Sequence, residues 1–158
     1  MSRSVLDTAH ANLKRRKFAE VITLLESRTE LYENDFDYYI TLATACLYVG
    51  DAGNAAAYYG RAREIKLMDT TLLLGQAAIF LRRGDTDRAV QYYLDILNND
   101  PQNETALGAM EFIRTSGDYT TICKWVDSGK IEKFYPPLGV NPDVVRNSIL
   151  VGLLAGAL

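Results

Sequence analysis

Apolar side chains recur along this chain at spacings of three and four, separated by short polar or glycine-bearing breaks. Between Asp37 and Val49 they are Tyr39, Ile40, Leu42, Ala43, Cys46 and Leu47, which together line one face of a helix. Gly50 ends that run and Asp51 is placed to cap the next helix, which carries Ala55, Tyr58, Tyr59 and Ala62. Thr70–Arg83 repeats the first pattern with Leu73, Leu74, Ala77, Phe80 and Leu81. Gly84 stops it, Asp85 or Thr86 opens a partner helix to about Asn98, and Asn99-Asp100-Pro101 closes the unit.

The two stretches are copies at a fixed offset. Gly50-Asp51 returns as Gly84-Asp85, Ala55 as Ala89, and Tyr58-Tyr59 as Tyr92-Tyr93, all by the same step along the chain. Ala9, Ala43 and Ala77 form another column with that step. A fixed period, here of about 34 residues, held in several independent columns is the mark of a repeat architecture. Weaker copies flank the centre. Residues 2–35 keep Val5, Ala9, Val21 and Leu25, with Asn12 at an aromatic position and Arg16 at the turn glycine. Residues 103–136 keep Ala106, Ala109, Met110, Ile113, Ile122 and Val126, and there Gly117-Asp118 arrives one position early relative to Gly84-Asp85.

The order large apolar, Leu, small, aromatic, then Ala, aromatic and Pro resembles the tetratricopeptide repeat family. The second unit carries it as Tyr39, Leu42, Ala43, Cys46, Ala55 and Tyr59, with Leu67 where proline is usual. The third carries it as Leu73, Gln76, Ala77, Phe80, Ala89, Tyr93 and Pro101, Gln76 being its departure. The resemblance implies an all-α, right-handed superhelix of about four helix-turn-helix hairpins, over units 2–35, 36–69, 70–102 and 103–136. It also implies a protein-protein interaction scaffold in which the first helix of each hairpin lines a concave groove. Carried over position by position, that groove comprises Leu6, His10 and Leu13, then Asp37, Ile40, Thr44, Leu47 and Tyr48, then Thr71, Leu74, Ala78, Leu81 and Arg82. Such a surface suits an amphipathic helix or an extended peptide of another protein. Relatives that grip a chaperone's terminal carboxylate use Lys and Asn; Leu6, His10, Thr41, Thr71 and Gly75 stand at the matching places, so that subtype is not expected.

Past Gly129 the register is lost. Residues 137–141 read as a connector, and Asn141-Pro142-Asp143 as the start of an apolar C-terminal helix over 142–158. No residue from Ser148 to Leu158 is charged, but a bilayer span needs about 20 apolar residues. The run is read as the start of a membrane-spanning segment in preference to a cap on the last repeat or an interfacial helix. Gly152 and Gly156 form a GxxxG, Arg146 suits a cytoplasmic flank, and the polar side that a cap or an interfacial helix needs is missing. The expectation is an adaptor on the cytoplasmic side of a membrane, within a larger complex. The alternative is a self-assembling subunit whose apolar end helix pairs with a second copy of this chain, a homo-oligomer.

Composition narrows the classes. The 158 residues are 48% hydrophobic and 23% charged, with a formal net charge of -3, which disfavours a nucleic-acid partner. The Lys14-Arg15-Arg16-Lys17 run is short and reads as a solvated turn. Met1–Lys17 has no apolar run ahead of a cleavage site, so no secretory signal is expected. His10 is the only histidine, and Cys46 and Cys123 stand far apart in sequence, so no metal is expected. Cys46 falls in a buried column, and Cys123 beside Lys124 has no base. With no catalytic pairing and no cofactor motif, the chain is not expected to be an enzyme and no cofactor is assigned.

Overall fold

The computed structural model describes residues 2–139. Among them are eight α-helices and no strand. They are α1 (Ser2–Lys14), α2 (Phe18–Glu26), α3 (Phe36–Tyr48), α4 (Ala52–Ile65), α5 (Thr70–Arg82), α6 (Thr86–Asn99), α7 (Glu104–Ser116) and α8 (Tyr119–Ser128). Short 3-10 turns occupy Thr29–Tyr32 and Lys130–Phe134. The helix expected over 142–158 lies outside the described residues.

From α3 onward each helix starts at a side-chain cap. Asp35, Asp69 and Asn103 accept from the backbone N–H groups of Tyr38, Leu72 and Ala106 at 3.1, 3.0 and 2.9 Å. These caps open α3, α5 and α7 and keep the step of the repeat. Asp51, Asp85 and Asp118 do the same for α4, α6 and α8. Each such cap is worth about 1 kcal/mol. The hairpin turns need a left-handed residue, and Gly50 (φ 89°) and Gly84 (φ 77°) supply it. In the first hairpin Arg16 adopts φ 62° at the matching place, a strain of about 1–2 kcal/mol for a residue with a Cβ.

Packing then repeats with the sequence. α1 packs on α2, α3 on α4 and α5 on α6; the hairpins join through α2 with α3, α4 with α5 and α6 with α7. α1, α3 and α5 also touch one another in series. Ala9, Ala43 and Ala77 are fully buried, as are Ala55 and Ala89, because small side chains let helices approach. Tyr59 and Tyr93 are fully buried in equivalent places. The described chain is thus an all-α, repeat-like stack of hairpins.

One column breaks the equivalence of those tyrosines. The Tyr59 hydroxyl pairs with Thr44 Oγ1 at 2.8 Å. One repeat later, Ala78 replaces Thr44, and the Tyr93 hydroxyl is buried without a partner. Tyr59→Phe should therefore cost about 1 kcal/mol in urea unfolding, since it orphans Thr44, whereas Tyr93→Phe should be neutral or stabilising by up to about 1 kcal/mol. Equal destabilisation by both would contradict this assignment.

The fourth hairpin departs from the others. Gly117 has φ -80°, not the left-handed value of Gly50 and Gly84, and the turn comes one position early. α8 touches α5 and meets α7 through the Trp125 and Phe112 rings, whose centroids are 4.4 Å apart. The 3-10 turn Lys130–Phe134 packs against both α7 and α8. Phe134 sits 5.1 Å from the Phe112 ring and stacks on Trp125 at 5.6 Å. Residues 103–136 thus hold α7, α8 and the 3-10 turn Lys130–Phe134.

Candidate functional site

The thirteen expected groove positions divide by burial. Leu6, Thr44, Leu47, Leu74, Ala78 and Leu81 are buried. Leu47 and Leu81 have no exposed surface at all, so they hold helices together and present nothing to a partner. His10, Leu13, Asp37, Ile40, Tyr48, Thr71 and Arg82 are half-buried and lie along the first helices of the three hairpins. His10 Nε2 lies 3.1 Å from Asp37 Oδ1 and 3.0 Å from Oδ2, joining α1 to α3. Asp37 also lies at the edge of hydrogen-bond reach of Thr41 Oγ1, 3.5 Å. The face thus combines the paired His10 and Asp37 with Ile40 and Thr71.

At the C-terminal ends of the same helices, the chain meets itself. The Tyr48 hydroxyl donates to the Pro136 carbonyl at 2.9 Å, and Arg82 donates to the Tyr135 hydroxyl at 2.6 Å. The Tyr48 and Tyr135 rings meet edge to face at 5.1 Å. Arg16 pairs with Glu132 at 2.8 Å while its guanidinium lies over Phe18 and Tyr48. Gly139 comes beside the Lys14 stem. Ile131, Phe134, Tyr135 and Pro136 are buried by these contacts. Segment 130–139 therefore runs from the fourth hairpin back to the first across α5 and α3. Its contacts also hold the strained Arg16. Burial raises the Tyr48 hydroxyl to about 12, with Glu132 adding to the effect, so it stays a proton donor to Pro136 at neutral pH.

Sequence reading misses this fold-back. Only the aromatic-proline run Phe134-Tyr135-Pro136-Pro137 signals an extended segment, and nothing in it names its contacts. The basic run Lys14–Lys17 divides: Arg16 joins this junction, while Lys14 and Lys17 are exposed.

Cysteine chemistry follows from burial. Cys46 is buried, which pushes its thiol up to about 12 and keeps it protonated and inert. Cys123 is half-buried on α8, far along the chain from it. No helix among the described residues is long and apolar enough to cross a membrane. Neither the protein-family models nor the curated proteins contain a match to this chain.

Proposed function

We propose that this chain is a tetratricopeptide-type right-handed solenoid that serves as a non-catalytic protein-interaction scaffold, receiving a peptide or helix on the face formed by α1, α3 and α5. The observation that carries the reading is that these three helices stand side by side and present half-buried Ile40, Thr71 and the His10–Asp37 pair. A face that mixes apolar and hydrogen-bonding groups on rigid helices is what an amphipathic partner needs. Segment 130–139 bounds the face at one end through Tyr48 and Arg82. A partner would therefore approach from the N-terminal ends of the helices. The membrane-tethered, cytoplasmic part of the proposal is supported by the uncharged run 148–158 and its Arg146 flank, both outside the described residues.

The test is site-specific photocrosslinking in the intact chain within its own cells. A photoreactive residue at Ile40 or Thr71 should give defined crosslinked species, and one at exposed Gln102, in the loop before α7, should not. Thr71→Arg should remove the Ile40 crosslink while thermal unfolding remains within a few degrees of the parent. Absence of crosslinks from both face positions, with the protein folded, would sink the reading.

A further inference from the structure

On the second-helix side of the stack, α4 and α6 flank a cleft floored by α5. Its larger part is a cavity of about 340 Å³ lined by Arg63, Phe80, Arg88, Gln91, Tyr92 and Asp95. A smaller cavity of about 110 Å³ continues from it past Phe80 and Tyr92 to Gln76 and Arg83. The Phe80 and Tyr92 rings are stacked at 5.7 Å and form the platform. Arg83 and Arg88 both lie over the Phe80 ring, at 5.7 and 5.5 Å. Arg63 donates to the Tyr92 hydroxyl at 3.2 Å.

Three guanidinium groups are thereby collected around one pair of rings. Stacking on an aromatic face orients a guanidinium and leaves its in-plane N–H donors free to bind. Few of those donors are used inside the chain. Arg88 forms an ion pair with Asp85 at 3.6 Å, too long to take up its N–H donors, and Arg83 has no carboxylate partner among the described residues. All three side chains are exposed, so water screens their mutual repulsion, and an anion placed between them gains from each. Gln76 adds a different demand. It lines the smaller cavity, and its Oε1 is buried without a hydrogen-bond partner. That oxygen accepts from a hydrogen-bond donor, which a fully ionised carboxylate or phosphate lacks and a peptide backbone N–H supplies.

We infer that this cleft is a second binding site, which takes an acidic segment of a partner protein. Aspartate or glutamate carboxylates of that segment meet Arg83 and Arg88, and its backbone N–H approaches Gln76. The site goes beyond the face proposed above and uses none of its residues. Asp95, the one carboxylate lining the larger cavity, opposes the ligand and limits affinity. The chain as a whole carries a net charge of -3, so polyanion binding cannot come from overall charge and must be local.

The probe is a fluorescein-labelled hexaglutamate peptide, followed by anisotropy at low ionic strength, with labelled hexalysine as its counterpart. Hexaglutamate should bind saturably, and added salt should weaken it. Arg83→Gln and Arg88→Gln should each weaken it about tenfold, as expected for lost charge-assisted bonds. Arg114→Gln, which removes the same charge from α7, should leave it unchanged. Asp95→Asn should tighten it. Circular dichroism establishes that each variant is folded. No saturable binding, or equal weakening by Arg114→Gln, would overturn the site. Displacement by inorganic phosphate at matching charge would overturn the peptide assignment in favour of a simple oxyanion site. Photocrosslinking from Ile40 is unaffected by Arg83→Gln, so failure here is separable from failure of the first proposal.

Discussion

Gly75→Ala is expected to destabilise the protein by about 2–3 kcal/mol, although the same change in an open helix would stabilise it by up to about 1 kcal/mol. Gly75 is buried in the second turn of α5, where Tyr59 of the preceding hairpin reaches across. A Cβ there would stand 2.6 Å from Tyr59 Cε2 and Oη and nearer still to Cζ. Tyr59 has no slack to give. It is fully buried, and its hydroxyl is tied to Thr44. Moving the ring breaks that bond and disturbs the junction between the second and third hairpins. Urea unfolding followed by circular dichroism measures the loss. Pairing Gly75→Ala with Tyr59→Leu supplies the control, because the smaller side chain makes room and the two changes should be less than additive. A Gly75→Ala protein as stable as the parent would show that the junction is looser than the contact implies.

Position 75 also shows how much is readable from sequence. The period, the helices and the alanine columns are legible, since each depends on residue type at fixed spacing. The glycine turns are legible for the same reason. The caps are half legible. Asp51 follows a turn glycine and so reads as a cap, whereas Asp35, Asp69 and Asn103 repeat just as strictly with no glycine ahead to mark the helix start. Spacing alone gives Gly75 only as a missing chaperone-tail contact. Its packing role depends on where the Tyr59 ring lies, and that is a property of two helices together. Arg16 reads as a departure from the turn glycine, but its left-handed backbone and its distant partner Glu132 cannot be read from spacing.

The candidate face is legible as a set of positions and not as a surface. Helical spacing places Leu47, Leu81, Ile40 and Thr71 on the first helices, yet it cannot say how deep each sits. Leu47 and Leu81 are fully buried, so a glutamate at either place would test folding before binding. The half-buried Ile40 and Thr71 are the positions that report on a partner. The arginine cleft is invisible in the sequence for a related reason. Arg63 and Arg88 lie on α4 and α6, Arg83 caps the end of α5, and only the stacking of these helices brings the three together.

The fold-back segment makes the second large prediction. Phe134→Ala should destabilise the protein by about 3–5 kcal/mol, the usual range for emptying a buried aromatic site. Phe134 is 3% exposed and packs against both Phe112 and Trp125, which also meet each other at 4.4 Å, so it completes a three-ring cluster between α7 and α8. Trp125 is the only tryptophan, so its fluorescence reports on this site alone. Its emission should shift to the red in the variant as water enters. Glu132→Gln, which weakens the partly exposed Arg16 pair at the far side of the same segment, should cost no more than about 1 kcal/mol. The contrast separates two roles. If apolar packing fixes the segment, the phenylalanine dominates and the ion pair only trims the path toward α1. Comparable losses from the two variants, or unchanged Trp125 emission in Phe134→Ala, would instead place the hold on the segment at its polar contacts with Tyr48, Arg82 and Arg16.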